Sequence, residues 1–486
     1  MMGPITFRFL GVEKNVQEKT YWNDPVVDKL WLYNLHYFDD LNALNGELRQ
    51  AWHLGIIERW INENPPGYGN GWEPYPLSLR IVNWITWTLR EHILSPQATH
   101  SLAIQIRLLS KKLEYHLLGN HLWANAKALV FAGVFFDGPE ALQWRTRGLK
   151  LIRRELDEQI LMDGGHFERS PMYHAIVLAD LLELLALSHV FPCALPDQDI
   201  SVWHSTASRM LRWLAIMTHP DGDIALFNDS AFGVAPRLKT LAGWAQLLEV
   251  DVDLNLSGPL HALPESGYVR LQTAEAVLIA DVGPIGPDYL PGHAHADTLS
   301  FELSLHDQRV IIDTGTSTYN VSSERLFQRG TAAHNTVIVD GQNSSEVWGS
   351  FRVARRARVH DVAWGNDIEF IWLRGAHDGY CRLPGRVTHW REWRLSGNAL
   401  EIQDVLEGHP RIAEARLLIH PVIQVEKSSH SRVKLLAPRQ SKHIEVVSED
   451  LNLDSATWHP SFGETQSATR LRTLFSSNIL TTRISW

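Results

Sequence analysis

Cysteine is nearly absent from this chain, which contains only Cys193 and Cys381 among its 486 residues. The two lie far apart in the sequence, and neither belongs to a Cys-x-x-Cys pair. The sequence therefore offers no disulfide framework and no thiolate zinc site, and we expect both residues to be buried thiols. The chemistry of the protein must depend on other side chains.

Excess positive charge and long apolar runs are also missing. The 45 Lys and Arg residues face 55 Asp and Glu, a formal net charge of -10. This balance argues against a general nucleic-acid or anionic-membrane binder, although a local basic groove remains possible. No stretch approaches the roughly twenty apolar residues of a membrane helix, so we expect no membrane span.

The N-terminal segment lacks the basic start and the sustained apolar run of a secretory signal. We expect a cytoplasmic protein as the sequence is written, or a periplasmic one if a leader has been removed.

The first half of the chain has the apolar spacing of helices from Trp31 to about Val250. In residues 77–90, for example, apolar side chains recur at the intervals of one helical face. Many successive helices joined by short loops predict helical hairpins arranged in a bundle, a solenoid or a closed ring. The spacing does not choose among these three.

Beyond residue 255 the period shortens to that of β-strands. Short apolar runs such as Leu299–Leu305 and Leu400–Leu406 are separated by turn residues, which predicts an antiparallel sandwich of large sheets. We place a helical domain at residues 1–258 and a β-sandwich domain at residues 259–486.

A dense group of titratable residues opens the second half. His293 and His295 are two residues apart and would point the same way on an extended backbone, and Asp313 and His334 follow. Three imidazoles and a carboxylate within about forty residues indicate a metal site or an acid–base site. The alternative is a set of polar residues on a surface hairpin.

Strand parity places one condition on a shared metal. If the hairpin turn lies at Asp307–Gln308, His295 and Asp313 face opposite sides of the sheet. A turn or bulge at residues 296–298 must then intervene before the two side chains can bind one ion.

Two places in the helical half depart from simple packing. Asn120 and His121 stand at a helix start, with Asn125 one turn further on, where an isolated Asn would usually be an N-cap. Tyr173 follows Ser170–Pro171 and should lie in the first turn of another helix, where packing is the simple alternative.

Together these residue types suit the removal of a proton from carbon 5 of a uronic acid. Asn and His donors neutralise the adjacent carboxylate, as in an oxyanion hole, while a Tyr or His moves protons. A glycoside hydrolase would instead need two carboxylates. Glu168 and Asp297 are candidates for that pair, without an evident pairing in the sequence.

The motifs, taken in order, resemble those of the heparinase II/III-like family of polysaccharide lyases, which also includes alginate lyases. The resemblance implies an N-terminal incomplete (α/α) toroid followed by a C-terminal antiparallel β-sandwich. The matching stretches are Gly119–His121, Gly164–His174, Gly292–Asp297 with Ser300–Phe301, Ile312–Gly315 and Ala333–Thr336.

The resemblance also implies roles for single residues. Asn120 and His121 would face the uronate carboxylate, Tyr173 would be the base or acid at the scissile bond, and His293 would be the other acid–base group. A second set matches positions that hold a structural zinc ion in related lyases. That set comprises His295, Asp313 and His334.

Substrate-binding residues are expected around these groups. Arginine suits the carboxylates or sulfates of an acidic sugar, and indole suits a pyranose face. Structural ion pairs on a solvated rim, or simple packing in the toroid, are the alternatives. The candidates are Trp72, Tyr75, Asn125, Glu168, Arg325, Arg329, Trp348 and Arg352.

The leading hypothesis is a lyase that cleaves a uronate-containing polysaccharide by β-elimination. Its partner is an acidic polysaccharide or oligosaccharide, and its expected cofactor is a structural Zn²⁺. The segment Trp31–Asp39 looks like the branch of the family found with bacterial surface-polysaccharide assembly. The alternatives are a glycoside hydrolase on an acidic glycan and a non-catalytic glycan-binding protein of such assembly.

Overall fold

The computed structural model describes residues 1–438 and 443–486. Contacts within the chain define two compact units. The first unit comprises Met1–Gln159 and Asp180–Trp203, and the second unit comprises Ile160–Ala179 and His204–Trp486.

Ten α-helices occur in the described part of the chain, nine of them before residue 250. Proline opens four of these helices, because its fixed φ suits the first helical position. The helices are α1 (Lys29–Tyr37), α2 (Gln50–Glu63), α3 (Pro74–Leu89), α4 (Pro96–Leu109), α5 (Gly119–Phe135), α6 (Pro139–Gln159), α7 (Pro171–Val190), α8 (Asp197–Ile216), α9 (Leu238–Leu247) and α10 (Ser323–Gln328).

Helix α4 ends at Leu109, and residues 110–118 before the next helix are not α-helical. The backbone N–H of Glu114 donates to the Asn125 side-chain oxygen at 2.9 Å, so a side chain takes the place of a helical carbonyl there. Helix α5 accordingly begins at Gly119, and Asn120 and His121 lie in its first turn.

Indole rings form much of the core of the first unit. Trp60, Trp84 and Trp87 have no exposed surface, and large rings of this kind bury more apolar area than any other side chain. The buried guanidinium of Arg80 lies 3.8 Å from the Trp60 ring centroid and donates to the carbonyl of His36 at 3.0 Å. Among the residues that the structure describes, this cation has no carboxylate partner.

Antiparallel pairing organises the second unit into two large sheets. The strands of the chain are β1 (Thr6–Phe9), β2 (Val12–Asn15), β3 (Leu260–Leu263), β4 (Tyr268–Gln272), β5 (Ala276–Asp281), β6 (Phe301–Leu305), β7 (Gln308–Ile311), β8 (Val337–Val339), β9 (Val347–Trp348), β10 (Arg352–Val353), β11 (Val359–Asn366), β12 (Ile371–Tyr380), β13 (Val387–Leu395), β14 (Ala399–Glu407), β15 (Ala413–Ile419), β16 (Gln424–Ser429), β17 (Arg432–Leu436), β18 (Ile444–Val447), β19 (Leu451–Trp458), β20 (Gln466–Leu474) and β21 (Ile479–Ser485).

The eight-stranded sheet has the order β11-β12-β13-β14-β21-β18-β17-β16. The nine-stranded sheet has the order β19-β20-β15-β7-β6-β5-β4-β3, with β8 added beside β15. Their facing sides share one apolar core, in which Phe301 of one sheet packs near Trp393 of the other with ring centroids 6.3 Å apart. The predicted antiparallel sandwich is therefore present.

Strand β5 is buried on both faces. Leu278 and Ala280 point into the sandwich core. Val277 and Ile279 pack instead with Trp213 at the end of α8. This double burial explains why the strand is a continuous apolar run rather than an alternating one.

Two sequence expectations need comment in the helical part. Helix α7 is, by length and composition alone, long and apolar enough to cross a membrane, although no such stretch was expected; 61% of its most apolar window is buried, as in a core helix. Cys193 is exposed rather than buried, because it lies in the turn after α7 with a φ of +67°. Cys381 is half-buried.

Candidate active site

Tyr173 and His293 meet in the second unit. Tyr173 lies in the first turn of α7, as predicted. Its ring stacks on the His293 imidazole with centroids 4.0 Å apart and an interplanar angle of 30°. His293 keeps 14% of its side chain exposed, so a phenol and an imidazole stand together at an accessible position.

A buried carboxylate fixes the orientation of His293. The fully buried Asp229 accepts a hydrogen bond from His293 Nδ1 at 2.8 Å and another from His295 Nε2 at 2.8 Å. His293 Nε2 then faces the Glu168 carboxylate at 3.6 Å. One carboxylate thus orients both imidazoles of the motif, and it leaves Nε2 of His293 to exchange a proton.

Arg325 compensates the charge of that carboxylate. Both terminal nitrogens of its buried guanidinium donate to Asp229, one of them at 2.7 Å. Burial by itself would raise the pKa of Asp229, but Arg325 and the hydrogen bonds from His293 and His295 hold that pKa well below its usual range. The carboxylate is therefore ionised beneath the Tyr173–His293 pair.

A second phenol completes the group. The Tyr319 hydroxyl lies 3.0 Å from the Tyr173 hydroxyl, and the Arg325 guanidinium lies 5.0 Å from the Tyr319 ring centroid. Burial, followed by the charge of Asp229, raises the pKa of Tyr319 well above its ordinary value. Tyr319 therefore stays protonated and can donate to Tyr173.

Sequence reasoning missed both Asp229 and Tyr319. Asp229 follows Asn228, whose φ of +56° marks a tight turn, and neither residue belongs to a recognisable motif. The only local signal was a polar Asn-Asp-Ser run after an apolar strand-like segment.

The backbone around the two imidazoles is not a strand, so the condition of an extended backbone is not met. Residues 291–300 form turns, and β6 begins only at Phe301. Leu299 has a φ of +62°, and the buried Arg391 donates to its carbonyl at 2.8 Å. His293 and His295 face the same way because both reach Asp229, not because of strand parity.

The hairpin turn between β6 and β7 also differs from expectation. Leu305 pairs with Gln308, so the turn is His306–Asp307, one residue earlier than predicted, and a register irregularity follows. The required turn between His295 and the sheet exists, since Ser300 N–H donates to the Asp297 carbonyl at 2.8 Å.

The expected metal ligands lie in one buried region. His334 Nδ1 bonds to Asp313 at 2.7 Å, and the His295 and His334 rings are 5.3 Å apart. The remaining nitrogens, His295 Nδ1 and His334 Nε2, are buried without a hydrogen-bond partner. No group of three or more His, Cys, Asp or Glu side chains among the described residues is arranged to hold a metal ion.

The Gly164–His174 motif is mostly structural apart from Tyr173. His174 accepts from the backbone N–H of His166 at 3.2 Å and bonds to the Met210 carbonyl through its other nitrogen. Arg169, at a φ of +59°, donates to the Ser266 carbonyl at 3.0 Å. These bonds hold the loop that leads into α7.

Asn120 and His121 lie in the first unit. The Asn120 side chain is hydrogen-bonded to the Tyr75 hydroxyl. His121 Nδ1 bonds to Glu114 at 3.1 Å, and its ring centroid lies 4.4 Å from that of Tyr75. The His121 side chain is 30% exposed, so this group can donate hydrogen bonds to a ligand.

Two other candidates of the first unit are held inside the protein. Asn125 is fully buried, and its amide donates to Ser78 and Glu114 at 3.0 Å each. Trp72 is 4% exposed and donates to the carbonyl of Asn64. In this structure both have packing roles.

The candidate substrate-binding residues of the second unit include two buried and two exposed side chains. Arg325 and Arg329 are fully buried, and Arg329 donates to the carbonyls of Ala294 and Gly349 at 3.0 and 3.1 Å. Trp348 and Arg352 pair across the β9–β10 hairpin and are exposed. Only the hairpin pair is free to contact a sugar directly.

The carboxylates considered for hydrolysis are both buried. Glu168 is 3% exposed and faces His293, whereas Asp297 is 1% exposed and accepts from the Asn228 N–H at 3.4 Å. Burial also raises the pKa of Asp297.

Comparison with known proteins now identifies the family. Residues 42–255 match the model of the heparinase II/III N-terminus, and residues 255–486 match the model of the heparinase II/III-like C-terminal domain. The chain belongs to the heparinase II/III family. This membership confirms the resemblance that the sequence motifs suggested.

Relatives within this family differ in their names. A heparin-sulfate lyase of Bacteroides stercoris is 25% identical over 299 residues, which cover 56% of this chain and 44% of that protein. The FtsZ-localized protein C of Caulobacter vibrioides is 27% identical over 307 residues, covering 60% of this chain and 48% of that protein. The chain spans about half the length of the curated relatives it matches.

A crystal structure of heparinase III superposes with a TM-score of 0.75 at 17% identity, covering 99% of this chain and 79% of that chain. The shared architecture confirms the predicted fold class of the heparinase II/III family, an (α/α) toroid followed by an antiparallel β-sandwich.

Proposed function

We propose that this protein is a polysaccharide lyase that cleaves a uronate-containing polysaccharide by β-elimination. The observation that carries the proposal is the Tyr173–His293 stack above an ionised Asp229. Family membership and the heparin-sulfate lyase relatives support it.

The proton transfers follow from the contacts of the two rings. With Nδ1 of His293 bonded to Asp229, Nε2 is available to take the proton from carbon 5 of the uronate. Tyr173, which the Tyr319 hydroxyl can hydrogen-bond, donates a proton to the leaving oxygen. The reverse assignment, with Tyr173 as base and His293 as acid, uses the same two groups.

Removal of that proton places a second negative charge beside the uronate carboxylate. Hydrogen-bond donors that neutralise the carboxylate lower the barrier, in the same sense as an oxyanion hole. We assign this role to Asn120 and His121, the donors of the first unit. Glu114 accepts from His121 Nδ1, which leaves Nε2 of His121 for the ligand.

Tyr173→Phe tests the proposal. Incubation with heparan sulfate, chondroitin sulfate and alginate should give the ultraviolet absorbance of a conjugated alkene, and the variant should lose it while its circular dichroism spectrum stays unchanged. The matched control is Tyr21→Phe, because Tyr21 is an exposed phenol of the first unit. Cleavage without an absorbing product would favour hydrolysis, and no cleavage of any acidic glycan would favour a binding protein.

We propose further that His295, Asp313 and His334 hold a structural zinc ion, which requires their side chains to move, since in this structure they are not arranged to hold a metal ion. The two buried imidazole nitrogens without partners support this assignment, because zinc binds neutral imidazole nitrogen and carboxylate oxygen. The ion would cross-link the turn before β6 to the segments after β7 and α10.

Elemental analysis of protein purified without added metal should find about one zinc per chain. His334→Ala should remove it and lower the melting temperature, whereas His430→Ala should do neither. Protein that is fully folded and free of zinc would overturn this part.

A further inference from the structure

A groove in the second unit has a net positive charge, although the chain as a whole has a net negative charge. It has a volume of about 670 Å³ and is formed by the segments that follow β5, β10 and β12. Cavities on the order of 300–1,000 Å³ commonly bind small ligands. We call it the arginine groove, and its charged lining comprises Arg355, Arg356, Arg358, Arg382, Asp288 and Asp378.

The lining of the arginine groove is partly apolar and partly basic. Val282, Ile285 and Val362 belong to the apolar part, which we call its floor. Four arginines against two aspartates give the lining a formal charge of +2, whereas the chain as a whole carries -10. Such a local reversal of sign favours an anionic ligand.

The arginines are available to such a ligand. Arg358 is exposed, and its guanidinium has no partner among the described residues. Its backbone is held by Asp378, whose carboxylate accepts from the Arg358 N–H at 2.8 Å and whose N–H donates to the Arg358 carbonyl at 3.2 Å. Arg355 pairs with Glu346 but stays 69% exposed. Exposed pairs of this kind are weak, so a ligand carboxylate or sulfate can compete for the guanidinium.

The remaining two arginines shape the wall. Arg356 donates to the carboxylate of Asp288 at 2.9 Å, and Asp288 is itself fully exposed. Arg382 donates to the carbonyls of Ser344, Asn343 and Gly379. Arg382 also pairs with Glu346 at 3.6 Å, and the Glu346 side chain is 30% exposed. Both cations thus pair with carboxylates that solvent reaches, and a ligand anion can compete for them.

The arginine groove adjoins the segment that carries His293. A methyl group placed on Gly286, which lines the groove, would lie 3.5 Å from Cβ of Ala294. On the other wall, Ala354 and Arg355 continue the hairpin whose Phe351 ring lies 6.1 Å from the His293 ring. One continuous stretch of chain thus connects the candidate active site to the groove.

We propose that the arginine groove binds an anionic stretch of the polysaccharide, outside the sugar that is cut. The nature of the polymer rests on the proposed function, but the binding itself does not. Guanidinium groups recognise carboxylates and sulfates, and the apolar floor suits the faces of sugar rings. The groove therefore raises the affinity for long acidic chains and not for short ones.

Arg358→Glu tests the inference by direct binding. Fluorescein-labelled heparan sulfate and alginate dodecasaccharides and disaccharides are titrated against the Tyr173→Phe protein, so that no probe is consumed. The added Arg358→Glu substitution should weaken dodecasaccharide binding about tenfold or more, the loss of a charge-assisted contact, and leave disaccharide binding unchanged.

The matched control is Arg483→Glu on β21. Arg483 is also an exposed arginine of the second unit without a side-chain partner among the described residues, and it does not line the groove. Its reversal should change binding less than twofold. The double variant Arg355→Glu/Arg358→Glu should weaken dodecasaccharide binding further.

Several outcomes would overturn the inference. These are equal losses for Arg358→Glu and Arg483→Glu, equally tight binding of single-stranded DNA of matched charge, and no binding of either dodecasaccharide. A selective loss of binding on Arg358→Glu, with no absorbing alkene formed even by the protein that retains Tyr173, would support the groove and refute the lyase proposal, so the two failures are distinguishable.

Discussion

The two candidate clusters differ in how their functional side chains are held. In the second unit, His293 and His295 are fixed by a fully buried ion pair between Asp229 and Arg325. In the first unit, His121 stays 30% exposed and is held by a single bond to Glu114. The proposed acid–base group His293 is thus rigidly oriented, while the proposed hydrogen-bond donor His121 remains accessible.

The difference has an energetic meaning. A buried charge is stable only while its partner remains, and breaking a buried pair costs several kcal/mol. An exposed or neutral hydrogen bond contributes about 1 kcal/mol. Substitutions in the two clusters should therefore separate effects on folding from effects on activity.

The largest effect is expected at Asp229. Asp229→Asn leaves the Arg325 guanidinium buried without a counter-charge, which should lower the free energy of unfolding by about 3–5 kcal/mol and abolish alkene formation. Urea denaturation checks the first effect, with Asp361→Asn as the control because Asp361 is an exposed partner of His360. A loss below about 1 kcal/mol would show that the pair is not the rigid element described here.

A matched pair of amides sharpens the contrast within the first unit. Asn120→Ala should lower kcat by about 10²–10³ through the loss of one donor, with little change in stability. Asn125→Ala should instead lower the free energy of unfolding by about 1–3 kcal/mol and change kcat little. The reason is that the buried N–H and carboxylate of Glu114 lose their hydrogen-bond partner. Activity loss at Asn125 without destabilisation would return it to the substrate-binding set.

The smallest expected effect concerns acid stability. Burial, and then the nearby charge of Arg80, lower the pKa of His36 to about 3. The unfolded chain takes up a proton near pH 6.5 and the folded chain does not, so stability should fall by about 2 kcal/mol between pH 7 and pH 5.

His36→Gln should flatten that dependence. Urea midpoints at pH 7 and pH 5 measure it, and His100→Gln on the exposed face of α4 is the control. An unchanged slope in His36→Gln would mean that other groups carry the acid sensitivity.

Much of the architecture was predictable because each element has its own periodicity. The long amphipathic helices and the short alternating strands follow from local spacing, and proline marks several helix starts. The end of α4 was not predictable, since the side chain of Asn125 on the next helix accepts from the backbone N–H of Glu114, and no local spacing marks that contact.

Only those residues of the candidate site that lie in recognisable sequence motifs could be predicted. Tyr173 and His293 lie in dense motifs and meet as stacked rings. Asp229 and Tyr319 were invisible because their roles come from tertiary contacts over more than sixty positions, as in the 64-residue separation of Asp229 from His293. The burial of Arg325 could not be predicted either. The sequence around an arginine near a histidine motif is the same whether the side chain binds substrate or pairs with Asp229.

The shared carboxylate of Asp229 limits how this family member can change. Each of its oxygens accepts from a different imidazole, His293 or His295, so neither ring can be re-aimed without disturbing the other. If the proposed function is correct, we expect adaptation to a new polymer to leave this centre intact and to proceed through exposed residues such as Trp348, Arg352 and Arg358, which do not contact Asp229.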